Sequence, residues 1–341
     1  MWQVENHTPF SAQGYFVRDQ HGFEHWVTGL RASFRIGQDG RVEIADNQES
    51  LKLSPVYADG NSEELAVDGD LVPFRPNTDL TFSGVIVSPG GKEFKHLVFG
   101  FQVNNVSKVG VAFGHRRIIK RRSTWYSHLE EAVTSVPLSW RMAMGGRDPF
   151  SKTKEPGIHE QNPIGKGWSR TYENAADGDI LDLPEIESYQ QLFHPSAPPP
   201  PPFGLSPIQP SWRPRLNYAG TYDARWERHR APLLPEDFSP RFYNAAPADQ
   251  ILPLRGGEQI SLHGFHPDGS YRFVLPHLFF RATTLLDGQH ESSAMRLIAV
   301  QIDATNKLLS MVWNTHVPCN GRDHKVYSTK IVMKQVVGAI A

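Results

Sequence analysis

The distribution of proline constrains this chain more than any other feature. Pro195, Pro198, Pro199, Pro200, Pro201, Pro202, Pro207, Pro210, Pro214, Pro232, Pro235, Pro240 and Pro247 place 13 of the 27 prolines between positions 195 and 247. Each proline fixes φ and removes a backbone donor, so no regular helix and no central strand survives at that density. A flexible linker of this kind should be poor in aromatic residues. This stretch and the residues before it instead carry Trp140, Phe150, Trp168, Tyr172, Tyr189, Phe193, Phe203, Trp212, Tyr218, Tyr222, Trp226, Phe238, Phe242 and Tyr243. The combination predicts an ordered, irregular segment whose rings pack over the rest of the fold.

The two flanks read as β structure. Before residue 122, the segments Gly14 to Arg18, Glu24 to Arg35, Leu80 to Ser88, Phe94 to Val103 and Lys108 to Ile119 are rich in Val, Phe and Ile. Asp39-Gly40, Asp59-Gly60 and Pro89-Gly90-Gly91 supply the turns between them. In the second segment Trp26, Thr28, Leu30, Ala32, Phe34 and Ile36 share one parity, and Arg31, Ser33 and Arg35 the other, which predicts a half-buried strand. The same grammar returns at Gln259 to Phe265, Ser270 to Leu275, Phe279 to Leu286, Met295 to Asp303, Leu308 to His316 and Lys325 to Lys334. Residues 123–255 show no sustained period apart from a short helical stretch near Ser127 to Thr134. The expected fold is mainly β: an antiparallel sandwich or open barrel in which N-terminal hairpins (1–122) and C-terminal hairpins (256–341) pack together as one composite domain, wrapped by residues 123–255.

With 35 Lys and Arg against 36 Asp and Glu, the chain lacks the basic excess of a dedicated nucleic-acid or anionic-membrane binder. A single cysteine, Cys319, excludes an internal disulfide framework and a multi-cysteine zinc site. The N-terminal residues show no secretory leader and no stretch approaches 18 apolar residues, so the expected location is the reducing cytoplasm.

Short motifs weigh little. His21-Gly22-Phe23-Glu24-His25 fits a zinc-hydrolase pattern, but Gly22 and the strand that follows deny it the helix that brings such ligands together. Gly165-Lys166-Gly167 lacks the first glycine and the Ser/Thr of a phosphate loop. Cys319 shows no activating context. The basic run His115 to Arg122 reads as a solvated strand end or a contact for an acidic partner, and the cluster Asp177, Asp179, Asp182, Glu185 and Glu187 as solvated acids. Trp212, Arg213, Arg215, Tyr218, Tyr222, Arg225, Trp226 and Arg228 form the most suggestive group, because Trp, Tyr and Arg dominate protein interfaces. Rings filling a gap with guanidiniums stacked on them explain each member equally well.

An ordered series of segments, Leu71 to Asp79, Phe113 to Arg116, Val136 to Gly146, Gln161 to Gly167, Leu183 to Glu187, Pro202 to Gly204, Trp212 to Arg215, Ala219 to Asp223, Pro232 to Phe238, Ala246 to Gln250 and Leu254 to Glu258, resembles a family of uncharacterised-domain proteins encoded beside type VI secretion effectors. The resemblance implies a non-catalytic bacterial adaptor or chaperone, with no catalytic residue, metal or cofactor. Its partners would be a secreted toxin, bound through a PAAR-type or N-terminal region, and the VgrG spike, with no role for nucleic acid or membrane. The expected partner-binding residues are Trp212, Arg213, Arg215, Tyr218, Tyr222, Trp226 and Arg255. Two other readings of the same residues are a carbohydrate-binding or carbohydrate-processing β-sandwich and a structural component of the spike.

Overall fold

The computed structural model describes residues 2–58 and 63–334. The Asp59-Gly60 turn lies outside them. The protein is mainly β, with several sheets and, among the described residues, no closed barrel. The largest sheet runs in the order Ile251–Leu252, Thr78–Ser83, Arg296–Asp303, Leu308–Pro318, Glu24–Ile36, Ser11–Arg18, with Val42–Ile44 also paired to the end of Glu24–Ile36. Strands from the two ends of the sequence are therefore interleaved within it, and Thr78–Ser83 runs parallel to Arg296–Asp303. A second sheet holds Ile186–Ser188, Val106–Phe113, His96–Val103, Gln259–His263 and Tyr271–Val274. A third holds Gln3–His7, Val326–Lys334, Phe279–Leu286 and Gln289–Ala294.

Side chains from all three sheets meet in one core. Leu30, Phe34, Phe82 and Trp313 come from the first sheet, Phe99, Phe101 and Ile260 from the second, and Phe280 and Ile331 from the third. Phe82 stacks on Phe101 across the first interface at 4.7 Å between centroids. Burial of each such ring stabilises the fold by about 2–3 kcal/mol relative to leaving it in water.

Glu24–Ile36 is buried on both faces rather than one. The polar parity is covered as well: Arg31 is 2% exposed and forms ion pairs with Asp70 and Glu49, and Ser33 Oγ accepts from the Glu49 amide. A polar residue on a strand reads as solvent-facing until the residues that neutralise it are known, and these lie in a separate segment 16 and more residues downstream.

Two expected long strands are each broken at a glycine. Leu80 to Ser88 divides at Gly84, whose φ is +118° and where a Cβ would fall 2.4 Å from Thr305 Oγ1. Lys108 to Ile119 divides at Gly114, where a Cβ would fall 1.9 Å from the Glu131 carbonyl oxygen. Residues Thr124–Glu130 form a strand rather than the start of a helix. They pair with Arg116–Arg121 in a hairpin with a bulge at Arg117/Ile118, and Trp125 and Leu129 are the half-buried positions. The edge strands Gln3–His7 and Gln289–Ala294 carry mostly exposed polar residues, so no hydrophobic period marked them.

The proline-rich segment lies along the outer side of Thr78–Ser83. Its main chain cannot complete a ladder, so side chains substitute. The Phe82 amide donates to the Leu205 carbonyl, Ser206 Oγ donates to the carbonyls of Phe82 and Leu138, and Gln250 Nε2 donates to those of Leu80 and Leu205. Trp140 Nε1 donates to the Pro207 carbonyl at 2.9 Å. The one α-helix of this region, Ala224–His229, is capped by Asp223 Oδ1, which accepts from the amides of Arg225 and Trp226.

Candidate partner-binding groove

The seven residues expected to bind a partner are dispersed. Trp212 is 4% exposed and packs edge-on against Trp140, with centroids 6.1 Å apart, over Ala143 and Ile208. Arg215 is 5% exposed: Nη2 reaches Asp68 at 2.8 Å, Nη1 the Ile208 carbonyl at 2.9 Å and Nε the Phe242 carbonyl at 2.8 Å. Neither side chain is open to a partner in this structure. Tyr218 is half-buried beneath Arg241, 5.8 Å from the ring centroid. Tyr222, 53% exposed, meets Trp226 at 4.7 Å, and Trp226 Nε1 donates to the Leu233 carbonyl. Arg213 is exposed and pairs with Glu160 at 3.0 Å. Arg255 is exposed at a turn where its amide donates to Glu258. Arg213, Tyr218 and Trp226 line three separate cavities.

The buried members have a structural task. Arg75 and Arg215 meet Asp68 and Asp79 in a buried cluster of two cations and two anions. Arg75 is 3.6 Å from Asp68 and 3.4 Å from Asp79, and its Nε donates to the Tyr243 carbonyl at 2.9 Å. Asp79 accepts from Asn244 Nδ2 and from the Ala245 amide. Burial pushes the Asp79 carboxyl above its usual range, with Arg75 opposing the shift, and burial pulls the Arg215 guanidinium down, with Asp68 opposing. The four charges pin residues 208–245 of the wrap to the sheet.

Part of the basic run meets part of the acidic cluster some sixty residues further along. Arg116–Arg121 pairs antiparallel with Ile180–Asp182. Arg117 bonds Asp182 at 2.6 Å, Arg116 bonds Glu187 and lies over the Phe113 ring, and His115 and Lys166 both reach Glu185. Glu185 and Glu187 are 5% and 2% exposed, not solvated as expected. Arg116 and Arg117 of the basic run thus have acidic partners in the same chain.

Other motifs take ordinary places. His25 lies in a strand with Nε2 3.2 Å from Asp19 and its ring against Phe74 and His316. Cys319 is fully buried, and burial pushes its thiol up, away from a reactive thiolate. Among the described residues, no group of three or more His, Cys, Asp or Glu side chains is placed to hold a metal ion, and no helix is long and apolar enough to cross a membrane.

The largest of the cavities is an open groove of about 640 Å³ where the proline segment passes the second sheet. Its apolar surface comes from Val98, Val109, Tyr189, Phe203 and Pro201, Pro202, Pro214 and Pro247. Tyr189 is 59% exposed. Its cations are already matched: Lys108 Nζ bonds Asp249 and Gln250 at 2.9 Å and lies 5.1 Å from the Phe203 centroid, and Arg213 holds Glu160 at the rim. Burial pulls the Lys108 ammonium below its usual range, with Asp249 opposing. The groove combines apolar area with a few hydrogen-bonding groups, and its two cations are engaged within the chain. Sequence reasoning named Arg213 but missed Lys108, Tyr189 and Pro247, although the proline run itself pointed to this wall.

No curated protein and no solved structure shows a significant match to the chain. A family model does: the one described as "Uncharacterized protein conserved in bacteria (DUF2169)" matches residues 21–314, most of the sequence, and the chain belongs to that family.

Proposed function

We propose that this is a non-catalytic binding protein, an adaptor or chaperone that holds a type VI secretion effector in the cytoplasm and helps load it on the VgrG spike. The groove carries the reading: an exposed, largely apolar concavity with internally paired cations favours recognition of a protein segment over chemistry. The effector and spike as partners rest on the sequence resemblance. Of the two tryptophans on which the carbohydrate alternative rests, Trp212 is buried and offers no ring face to a sugar, while Trp226 is half-buried beside the exposed Tyr222.

The test is co-expression with the toxin and spike proteins encoded beside it, followed by affinity capture. The reading predicts capture of the toxin by the parent chain and its loss on Tyr189→Ala combined with Pro202→Ser, at unchanged thermal stability. No capture of any of these proteins, together with normal toxin export from a deletion strain, refutes it. Appearance of the protein itself in the culture supernatant would mark an exported component instead.

A further inference from the structure

Val106–Phe113 is bonded along its whole length to His96–Val103 on one side, but on the other Ile186–Ser188 covers only Gly110, Val111 and Ala112. The last rung is the Tyr189 amide donating to the Val109 carbonyl at 3.2 Å, after which the chain turns away at Tyr189 and Gln190. Odd-numbered positions face this side, since Val109 accepts here and the Phe113 amide donates here to Glu185. Ser107 is the next odd position. Its N–H and C=O point to the same side and have no backbone partner there among the described residues.

The groove lies along this open edge. Consecutive strand residues point to opposite faces, so a cavity that touches Ser107, Lys108 and Val109 in turn takes in the strand's edge, and from there it reaches over the Val109 face to Val98. Its lining also includes Pro201, Pro202, Pro214 and Pro247, which have no N–H to offer. The unpaired N–H and C=O of Ser107 are the lining main-chain groups set in a strand register that an extended segment can continue. The side chain of Lys108 is largely buried and held by Asp249 and Gln250, so the strand edge itself presents no free cation to a charged segment.

We infer that the groove binds an extended, uncharged, apolar peptide segment of a partner protein as an added β-strand beside Val106–Val109. This rests on the proposed function and specifies its mode. Four residues of strand cover about 13 Å at roughly 3.3 Å per residue, and alternate side chains of the guest would face the Tyr189 and Phe203 sides of the edge.

Proline tests the mode directly. Ser107 is an edge position whose N–H faces the groove, a place where a strand tolerates proline. Ser107→Pro removes the donor and sets a ring carbon in the guest's path. The probe is a terminally blocked peptide, Ser-Val-Thr-Val-Thr-Val-Ser, beside the same peptide N-methylated at alternate residues. The parent chain is expected to bind the first and not the second, with slowed hydrogen exchange at the Ser107 amide. Ser107→Pro is expected to bind roughly tenfold or more weakly at unchanged melting temperature. Equal binding of both peptides, equal binding by Ser107→Pro, binding without protection of the Ser107 amide, or no binding of the probe overturns the inference. The exchange measurement on the parent chain decides the matter even if the variant folds poorly. Capture of the toxin by a folded Ser107→Pro chain would overturn strand addition and leave the adaptor reading standing, whereas no capture by either chain would remove both.

Discussion

Arg215→Met separates a buried clamp from an interface arginine. The substitution keeps most of the side-chain volume and deletes three bonds: to Asp68, and to the carbonyls of Ile208 and Phe242. Removing one partner of a buried ion pair typically costs about 3–5 kcal/mol, because the other charge stays buried without its match. Each carbonyl left without a donor adds about 1–3 kcal/mol. Arg75, 3.6 Å from Asp68, takes up part of the lost charge interaction, which favours the low end of the sum, about 5 kcal/mol in all. The assay is urea unfolding followed by tryptophan fluorescence, with limited proteolysis reporting on residues 208–245. The variant should unfold at lower urea and be cut first within the wrap. Asp68→Asn with Arg215→Met should cost less than the two singles added, by about 1–3 kcal/mol, since they share one interaction. If Arg215→Met falls within about 0.5 kcal/mol of the parent, as surface substitutions do, the clamp does not exist.

Three further outcomes follow from the structure. Arg213→Ala breaks only an exposed pair with Glu160 and should change stability by less than about 0.5 kcal/mol in the same urea assay. Gly84→Ala forces a Cβ into Thr305 at a φ reserved for glycine, and should lower stability by about 1–3 kcal/mol by calorimetry; an unchanged melting temperature would contradict the broken-strand geometry. Asp148 is buried, which would raise its pKa, but donors from Ser169, Thr171 and the amides of Phe150 and Arg170 outweigh burial and hold the carboxyl below its usual 3.8. A depressed folded-state pKa adds stability above the unfolded value that disappears as pH falls through the folded one, so Asp148→Asn should be weaker at pH 7 yet lose less between about pH 4 and pH 2. Parallel pH profiles for parent and variant would refute that account.

What could be read in the sequence was local. Phe279 to Leu286 with its Asp287-Gly288 turn, and the alternation that ends at Ile36, are properties of neighbouring residues, and the structure has strands there. What escaped depends on residues far along the chain. Gly84 and Gly114 break their strands because Thr305 and Glu131 press against them, and nothing beside either glycine announces that. Arg31 looked solvent-facing because Asp70 was not known to meet it, and Glu185 and Glu187 looked solvated because His115, Lys166 and Arg116 were not known to meet them, whereas Asp182 is exposed as expected. Trp212 and Arg215 have the composition of an interface and the burial of a core, and side-chain type alone does not separate the two. The open edge at Ser107 is set by where Ile186–Ser188 stops, which is a matter of register rather than composition.

The interleaving of the largest sheet also dictates when the chain is able to fold. Glu24–Ile36 has Leu308–Pro318 as its neighbour, and Thr78–Ser83 has Arg296–Asp303. At roughly 5–20 residues per second, the interval of about 270 residues between Ile36 and Leu308 occupies a ribosome for on the order of tens of seconds. During that time Trp26, Leu30 and Phe34 belong to a strand paired with Ser11–Arg18 and Val42–Ile44 on one edge only, its other edge open to any unpaired strand nearby. Pairings this distant close slowly even in the finished chain. A cut placed between residues 36 and 296 would leave neither piece a complete central sheet, so two separately expressed halves should regain the fold only when they meet.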